Sequence, residues 1–252
     1  YGITNDGVNP EVSDYSPGVI TINAPAQVVA ASTGSQTANL DAGATAQYVG
    51  AAFTFRQTTG SADTITALTI SDVGGSINAN ASTSNAFLRY EQPASSVCTY
   101  DGTETASGSV SFNGSDQAVF SGLTIPVTVH ATNVTCVYLV FDLKNGTNYP
   151  VGGNTFEPEI TSSANFTLQN STAKAGTYPV TLTSSTTVRP NVTDVTDSAL
   201  VDGGRNGETF TITGAGFGTL CASLSVQVEG TTLTCNSANN TTISATIPSA
   251  QT

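Results

Sequence analysis

The chain has 252 residues, with 18 acidic against 6 basic side chains for a net charge of −12, and only 10% of its residues are charged. That balance repels polyanions, which excludes nucleic acid as a partner, and the scattered basic residues form no cluster for an anionic membrane surface. The longest apolar run, Cys136 to Phe141, is six residues long, against the roughly 20 needed to span a bilayer, so no membrane insertion is expected.

Valine and isoleucine together number 34 against 12 leucines, and there are 42 threonines. β-branched residues suit pleated strands and are poor helix formers, so an all-β chain is predicted. Residues 1–44 read as an extended N-terminal arm, with prolines at Pro10, Pro17 and Pro25 and one compact β run, Val19-Ile20-Thr21-Ile22. That run is the candidate donor strand for a neighbouring molecule. The sequence starts at Tyr1, has no methionine and shows no basic-then-apolar leader, so a mature product freed of its secretion signal is expected. Asn5-Asp6-Gly7-Val8-Asn9-Pro10-Glu11, with Asp14, offers oxygen ligands of the kind calcium takes but matches no defined loop. No other metal and no cofactor is expected.

From residue 45 to 188 the strand pattern is continuous. Ala52–Phe55, Ile65–Ile70 and Val127–Val129 alternate at period two, and Val137–Phe141 is the most hydrophobic strand, hence the central one. Asp101-Gly102, Asn113-Gly114 and Asn145-Gly146 mark turns. Arg189-Pro190 interrupts the pattern as a linker, and a second domain, 189–252, follows with Phe210–Ile212 and Leu224–Val228. The predicted architecture is two tandem β-sandwich, immunoglobulin-like domains preceded by the arm.

Four cysteines allow three pairings. The local one, Cys98 with Cys136 and Cys221 with Cys235, keeps each bond inside one proposed domain; four buried free thiols are the alternative. Disulfides imply an oxidising, extracellular compartment. Nine N-x-S/T sequons stand at Asn80, Asn113, Asn133, Asn145, Asn165, Asn170, Asn191, Asn239 and Asn240, where composition alone would give about five or six. Asn113 and Asn145, each followed by glycine in a turn, are the best candidates for glycan, so a secreted glycoprotein is expected.

Catalytic chemistry finds little support. The one histidine, His130, follows a strand, and no particular serine and aspartate are singled out to complete a triad. Glu157 and Glu159 share a strand face about 7 Å apart, compatible with a glycosidase pair, but they flank Pro158 and read as two exposed acids, with no tryptophan for a sugar platform. The Gly74-Gly75 stretch lacks the phosphate-loop pattern. An enzyme is not expected.

The segment Phe210-Thr211-Ile212-Thr213-Gly214-Ala215-Gly216-Phe217-Gly218, followed by Val226-Gln227-Val228-Glu229-Gly230 and Ile243-Ser244-Ala245-Thr246-Ile247-Pro248, resembles the IPT/TIG domain, an immunoglobulin-like sandwich. In this reading Gly214, Gly216 and Gly218 reverse the chain with positive φ and Phe217 plugs the end of the sandwich. The resemblance covers about residues 190 to 252. Family members continue past the Ile-Pro strand with a last strand, so either the sequence extends beyond Thr252 or this sandwich lacks its final strand. An open edge invites strand addition. The whole chain is similar to bacterial-type surface filament or adhesin proteins. The expected role is a structural subunit of a pilus-like cell-surface filament whose partners are further copies of itself, joined head to tail. The alternative is an adhesin or glycan-binding module for cell adhesion.

Overall fold

A computed structural model describes residues 25–93, 97–130, 132–146, 150–197, 207–228 and 230–248. The donor run Val19–Ile22 and the segment Asn5–Glu11 with Asp14 lie outside the described residues.

Two sheets form the larger unit. Strands are numbered in chain order. The first sheet runs β12 (Ala173–Ala175), β1 (Gln27–Gly34), β3 (Gln47–Gln57), β8 (Thr135–Leu143), β5 (Thr83–Glu91), β6 (Thr105–Val110). In the second, β4 (Asp63–Asp72) carries β7 (Gln117–Val127) on one side. On its other side lie β11 (Phe166–Leu168) and β10 (Pro158–Ile160), with β13 (Val180–Thr181) beyond β10. A small sheet, β2 (Asn39–Asp41), β14 (Thr186–Arg189), β9 (Thr155–Phe156), closes one end. The only helix among the described residues with α geometry is one turn, Ala79–Ser82, capped by the Asn78 side chain, which accepts from Ala81 N at 2.8 Å. The chain is an all-β sandwich protein.

Alternation decides the packing. Phe53, Phe55, Leu88, Leu139 and Phe141 from the first sheet meet Ile65, Leu68, Ile70, Phe120 and Phe166 from the second in one buried core. Phe55 and Phe166 meet edge to face at 5.3 Å between ring centres, and Phe156 closes the end of the core against Phe141 at 4.7 Å. β8 lies between β3 and β5, the central place its hydrophobicity predicts, and is buried on both faces. Its second face, Cys136 and Tyr138, lies under Cys98 and Tyr100, held there by the Cys98–Cys136 disulfide. Tyr48, Tyr100 and Tyr138 pack in tilted and edge-to-face contacts with ring centres 4.4–5.5 Å apart. Burial, then the charges of Glu104, Tyr100 and Glu91, raises the Tyr48 pKa far above its ordinary value; burial and the hydrogen bond that Tyr138 donates to Glu91 do the same to Tyr138.

The arm ends earlier than the sequence pattern suggests. Residues 27–34 and 39–41, assigned above to a 44-residue arm, are strands of the sandwich, with Val28, Ala30, Leu40 and Ala42 in its core. β1 pairs with β3 from Val28↔Gln57 to Gly34↔Ala51. Its alanines, serine and threonine carry too little apolar area to stand out as a strand, yet β1 is hydrogen-bonded to β3 on one side and β12 on the other.

Pro190 alone separates β14 from β15 (Asn191–Asp197), which opens a second unit. Its sheet runs β15, β16 (Thr209–Ala215), β20 (Thr242–Thr246), β19 (Thr234–Ala238), and a two-stranded hairpin, β17 (Gln227–Val228) with β18 (Thr231–Thr232), stands apart. Gly230 turns this hairpin at φ +82°. A core of Ile212, Phe217, Leu233, Ile243 and Ala245 fills the unit, and the Cys221–Cys235 disulfide is formed.

Candidate functional site

Among the described residues, the core of the smaller unit is covered over one half of its sheet. In β16, Phe210, Ile212 and Gly214 face inward, and in β20 their partners Ala245 and Ile243 do the same. Leu224, Val226 and Leu233 pack over this face, and Cys235 on β19 is tied to Cys221 beside them. The cover therefore lies over the β19–β20 half. On the other half, β15 pairs Val192 with Gly214 and Val195 with Ile212, and a bulge at Thr193 brings both valines to the same inward face. Yet Val192 and Val195 are 54% and 52% exposed, while Ile212 beside them is 8% exposed. β15 ends the sheet, so its outer backbone edge has no strand beside it among the described residues. An unpaired edge next to inward-facing but uncovered valines is the geometry of a sandwich with room for another strand.

The glycine motif anchors this unit to the larger one. Phe217 is buried in the small core. Gly216 and Gly218 adopt φ of +79° and +78°, whereas Gly214 is required by space: a Cβ there would meet Asn191 O at 2.0 Å and the Phe217 ring at 2.6 Å. Gly152 N donates to Gly216 O at 2.7 Å, and Ala42 lies against Gly216. Asn240, wholly buried, joins the two units: its Oδ1 accepts from Gly218 N at 3.0 Å, and its Nδ2 donates to Gly146 O at 2.7 Å and Pro150 O at 2.9 Å. The expectation of a glycan on Asn240 is therefore corrected, because N-glycosylation would take the amide nitrogen that these carbonyls occupy and there is no space for a sugar.

The other sequons lie apart from one another. Asn80, Asn113, Asn145, Asn170 and Asn239 are exposed, and Asn133, Asn165 and Asn191 are half-buried. Asn113 builds its turn by accepting from Ser115 N and Gln117 N through Oδ1, at 2.9 and 3.1 Å, and Asn165 closes a capping box with Ser162. Both cysteine pairs form as expected. His130 is exposed, and its Nδ1 accepts from Thr132 N and Asn133 N at 3.2 and 3.0 Å, a local arrangement.

Glu157 and Glu159 share a face but are half-buried. Burial, then the Glu157 charge, raises the Glu159 pKa. Behind them lies a carboxylate the sequence reading missed. Asp72 accepts from Glu157 N at 2.8 Å through Oδ1, with the Gly75 backbone also beside the carboxylate. A Cβ at Gly75 would strike both oxygens and one at Gly74 would strike Glu157, so the two glycines admit these acids. Burial, with Asp116 and Glu157 adding like charge, pushes the Asp72 pKa from 3.8 to about 6. The folded carboxyl holds its proton more tightly than the unfolded one, so this residue lowers stability as pH rises through about 4 to 6. Asp72→Asn keeps the acceptor and removes the charge. It is expected to raise stability at pH 7.5 by about 1–2 kcal/mol and to leave it nearly unchanged at pH 4. Thermal melts at both pH values check this; equal gains at both would show that the charge is not the cause.

Among the described residues no group of three or more His, Cys, Asp or Glu could hold a metal, and no helix is long and apolar enough to cross a membrane. No family model matches the chain, and no curated protein matches it. The two disulfides point to an oxidising, extracellular or secreted environment.

Proposed function

We propose that the protein is a structural subunit of an extracellular, pilus-like filament on the cell surface, assembled head to tail by β-strand addition. The observation that carries this reading is the half-covered core beside β15, set against where the described chain begins. Gln27 opens β1 at the end of the sandwich where Gln57 and Thr58 lie, and Thr58 N donates to Gln27 O at 2.9 Å. The smaller unit docks at the other end, on Ala42, Gly146, Pro150 and Gly152. At about 3.3 Å per residue along β3 the two ends are roughly 25–30 Å apart. A donor at one pole and an acceptor at the other make a heterologous contact that does not close on itself, and such contacts build filaments.

In this reading the smaller unit is an IPT/TIG-like domain, supported by the buried Phe217 and by Gly216 and Gly218 at positive φ. The role is mechanical and not catalytic, with disulfides and glycans on exposed sequons such as Asn113 and Asn145 protecting the subunit outside the cell. Negative-stain micrographs of the full chain test it. Regular fibres with an axial repeat of one subunit are expected, and dispersed monomers across a wide concentration range would overturn it.

A second reading, adhesion through glycan binding, draws on the half-buried Tyr48 and Tyr100 rings on the outer face of the first sheet, since aromatic faces stack against sugars. A glycan array with the full chain and with Tyr100→Ala separates it from the first: binding lost on the substitution supports it, and no binding by either removes it.

A further inference from the structure

We infer that the acceptor in this assembly is the free edge of β15, and that its occupant is the Val19–Ile22 run of a second copy, with Ile20 and Ile22 lying over Val192 and Val195. The inference rests on the filament reading and adds which edge is used and which side chains meet.

Three observations select β15 over the other edges. First, β19 at the opposite edge of the same sheet carries Cys235, whose disulfide to Cys221 holds the Leu224 and Val226 segment across the inward face, so that face is already covered there, and the exposed Leu220 and Val228 stand beside this segment and not on β19. Second, β6 and β12, the edges of the large first sheet, are built from small and polar residues, Thr105–Val110 and Ala173–Ala175, and offer no inward apolar pair to fill. Third, among the described strands β15 alone combines an edge with no strand beside it and two valines that face a core and remain more than half exposed.

The occupant follows from the sequence. In an extended Val19-Ile20-Thr21-Ile22 the two isoleucines share one face. A strand added beside β15 would set that pair level with the two valines, completing the half of the core that Leu224, Val226 and Leu233 do not reach. The run from Pro17 to Asn23 carries no charge, so it brings no further negative charge against Asp194. The described chain begins next to Gln27, at the pole remote from β15, and a donor at one pole with an acceptor at the other favours a second copy. Fully extended, 24 residues span at most about 80 Å, long enough to fold back as well, so the test must separate the two routes.

Full-length chains carrying Ile20→Cys are mixed with full-length chains carrying Val195→Cys, assembled, and oxidised. The four native cysteines are already paired, so only the introduced thiols react. Crosslinked dimer is expected from this mixture, with a marked loss when Val19→Cys replaces Ile20→Cys. As a second measurement, Val192→Asp with Val195→Asp should abolish fibres while leaving the melting temperature of the monomer within a few degrees, because both side chains are exposed in it. Fibres without the Ile20–Val195 crosslink would overturn the acceptor assignment and leave the filament reading standing. Absence of fibres from the unsubstituted chain overturns both. An intrachain crosslink in a doubly substituted monomer would show the arm folded back on its own unit, and a Val195–Val195 crosslink would show edge-to-edge pairing; either result contradicts the inference.

Discussion

Replacing Cys98 and Cys136 together by alanine is expected to lower stability by about 4 kcal/mol, because the bond closes a long loop in the unfolded chain. Its sequence separation is 38, against 14 for Cys221–Cys235, so the same chain-entropy argument gives about 3 kcal/mol for the second pair. The first loss has a structural counterpart. Cys136 is wholly buried on the outer face of β8, and the Cys98–Tyr100 segment covers Tyr48 and Tyr138. Once that cover is released, the hydroxyls of Tyr48 and Tyr138, now held far above their ordinary pKa by burial first, should titrate closer to the normal tyrosine range. Urea unfolding followed by circular dichroism measures the loss, and an ultraviolet titration of tyrosine follows the cover. An equal or larger loss from the Cys221–Cys235 pair, or an unchanged tyrosine titration, would contradict this account of the lid.

Asn240→Ala is expected to uncouple the two units. The substitution strands Gly218 N, Gly146 O and Pro150 O, all of which Asn240 satisfies from a fully buried position. Leaving buried backbone groups without partners costs about 1–3 kcal/mol each before water enters, so a net loss of about 3 kcal/mol at the junction is reasonable. Calorimetry should then resolve the smaller unit melting before the larger one, whereas a single transition is expected for the unsubstituted chain. Asn240→Asp is expected to be worse, because its second oxygen would face two carbonyls. A single unaltered transition for both variants would show that the contacts of Ala42, Gly152 and Gly216 hold the units together without the amide.

Much of the fold was legible because alternation is a strong signal wherever one face is buried. Phe53 with Phe55, Leu68 with Ile70, and Ile243 with Ala245 fall in strands and point where period two puts them, while Ile65 shares the core with Leu68 because a bulge between Ile65 and Ala67 breaks the alternation. The uninterrupted apolar run in β8 carried a second message, burial on both faces, and together with the Cys98–Cys136 pairing it could have located the tyrosine lid. β1 was missed because Ala30, Ala31, Ser32 and Thr33 are strand residues by position and not by hydrophobicity. The junction was out of reach for a different reason. Asn240 bonds to residues 94 and 90 positions away, and nothing local distinguishes an asparagine that will be buried at an interface from one that will carry a glycan. Gly214 shows the same limit: its role is set by the approach of Asn191 and Phe217, and not by its own φ. That exposed valines stand together on β15 depends on the bulge that turns Val192 and Val195 to one face, which no local pattern announces.

Assembly through the arm is the central claim, and sedimentation velocity of the full chain beside a chain of residues 25–252 tests it most directly. The account predicts fast-sedimenting polymers from the full chain and a single monomer boundary from the shortened one, with both giving the same far-ultraviolet circular dichroism for the sandwich. Polymers from both chains, or monomers from both, would contradict it.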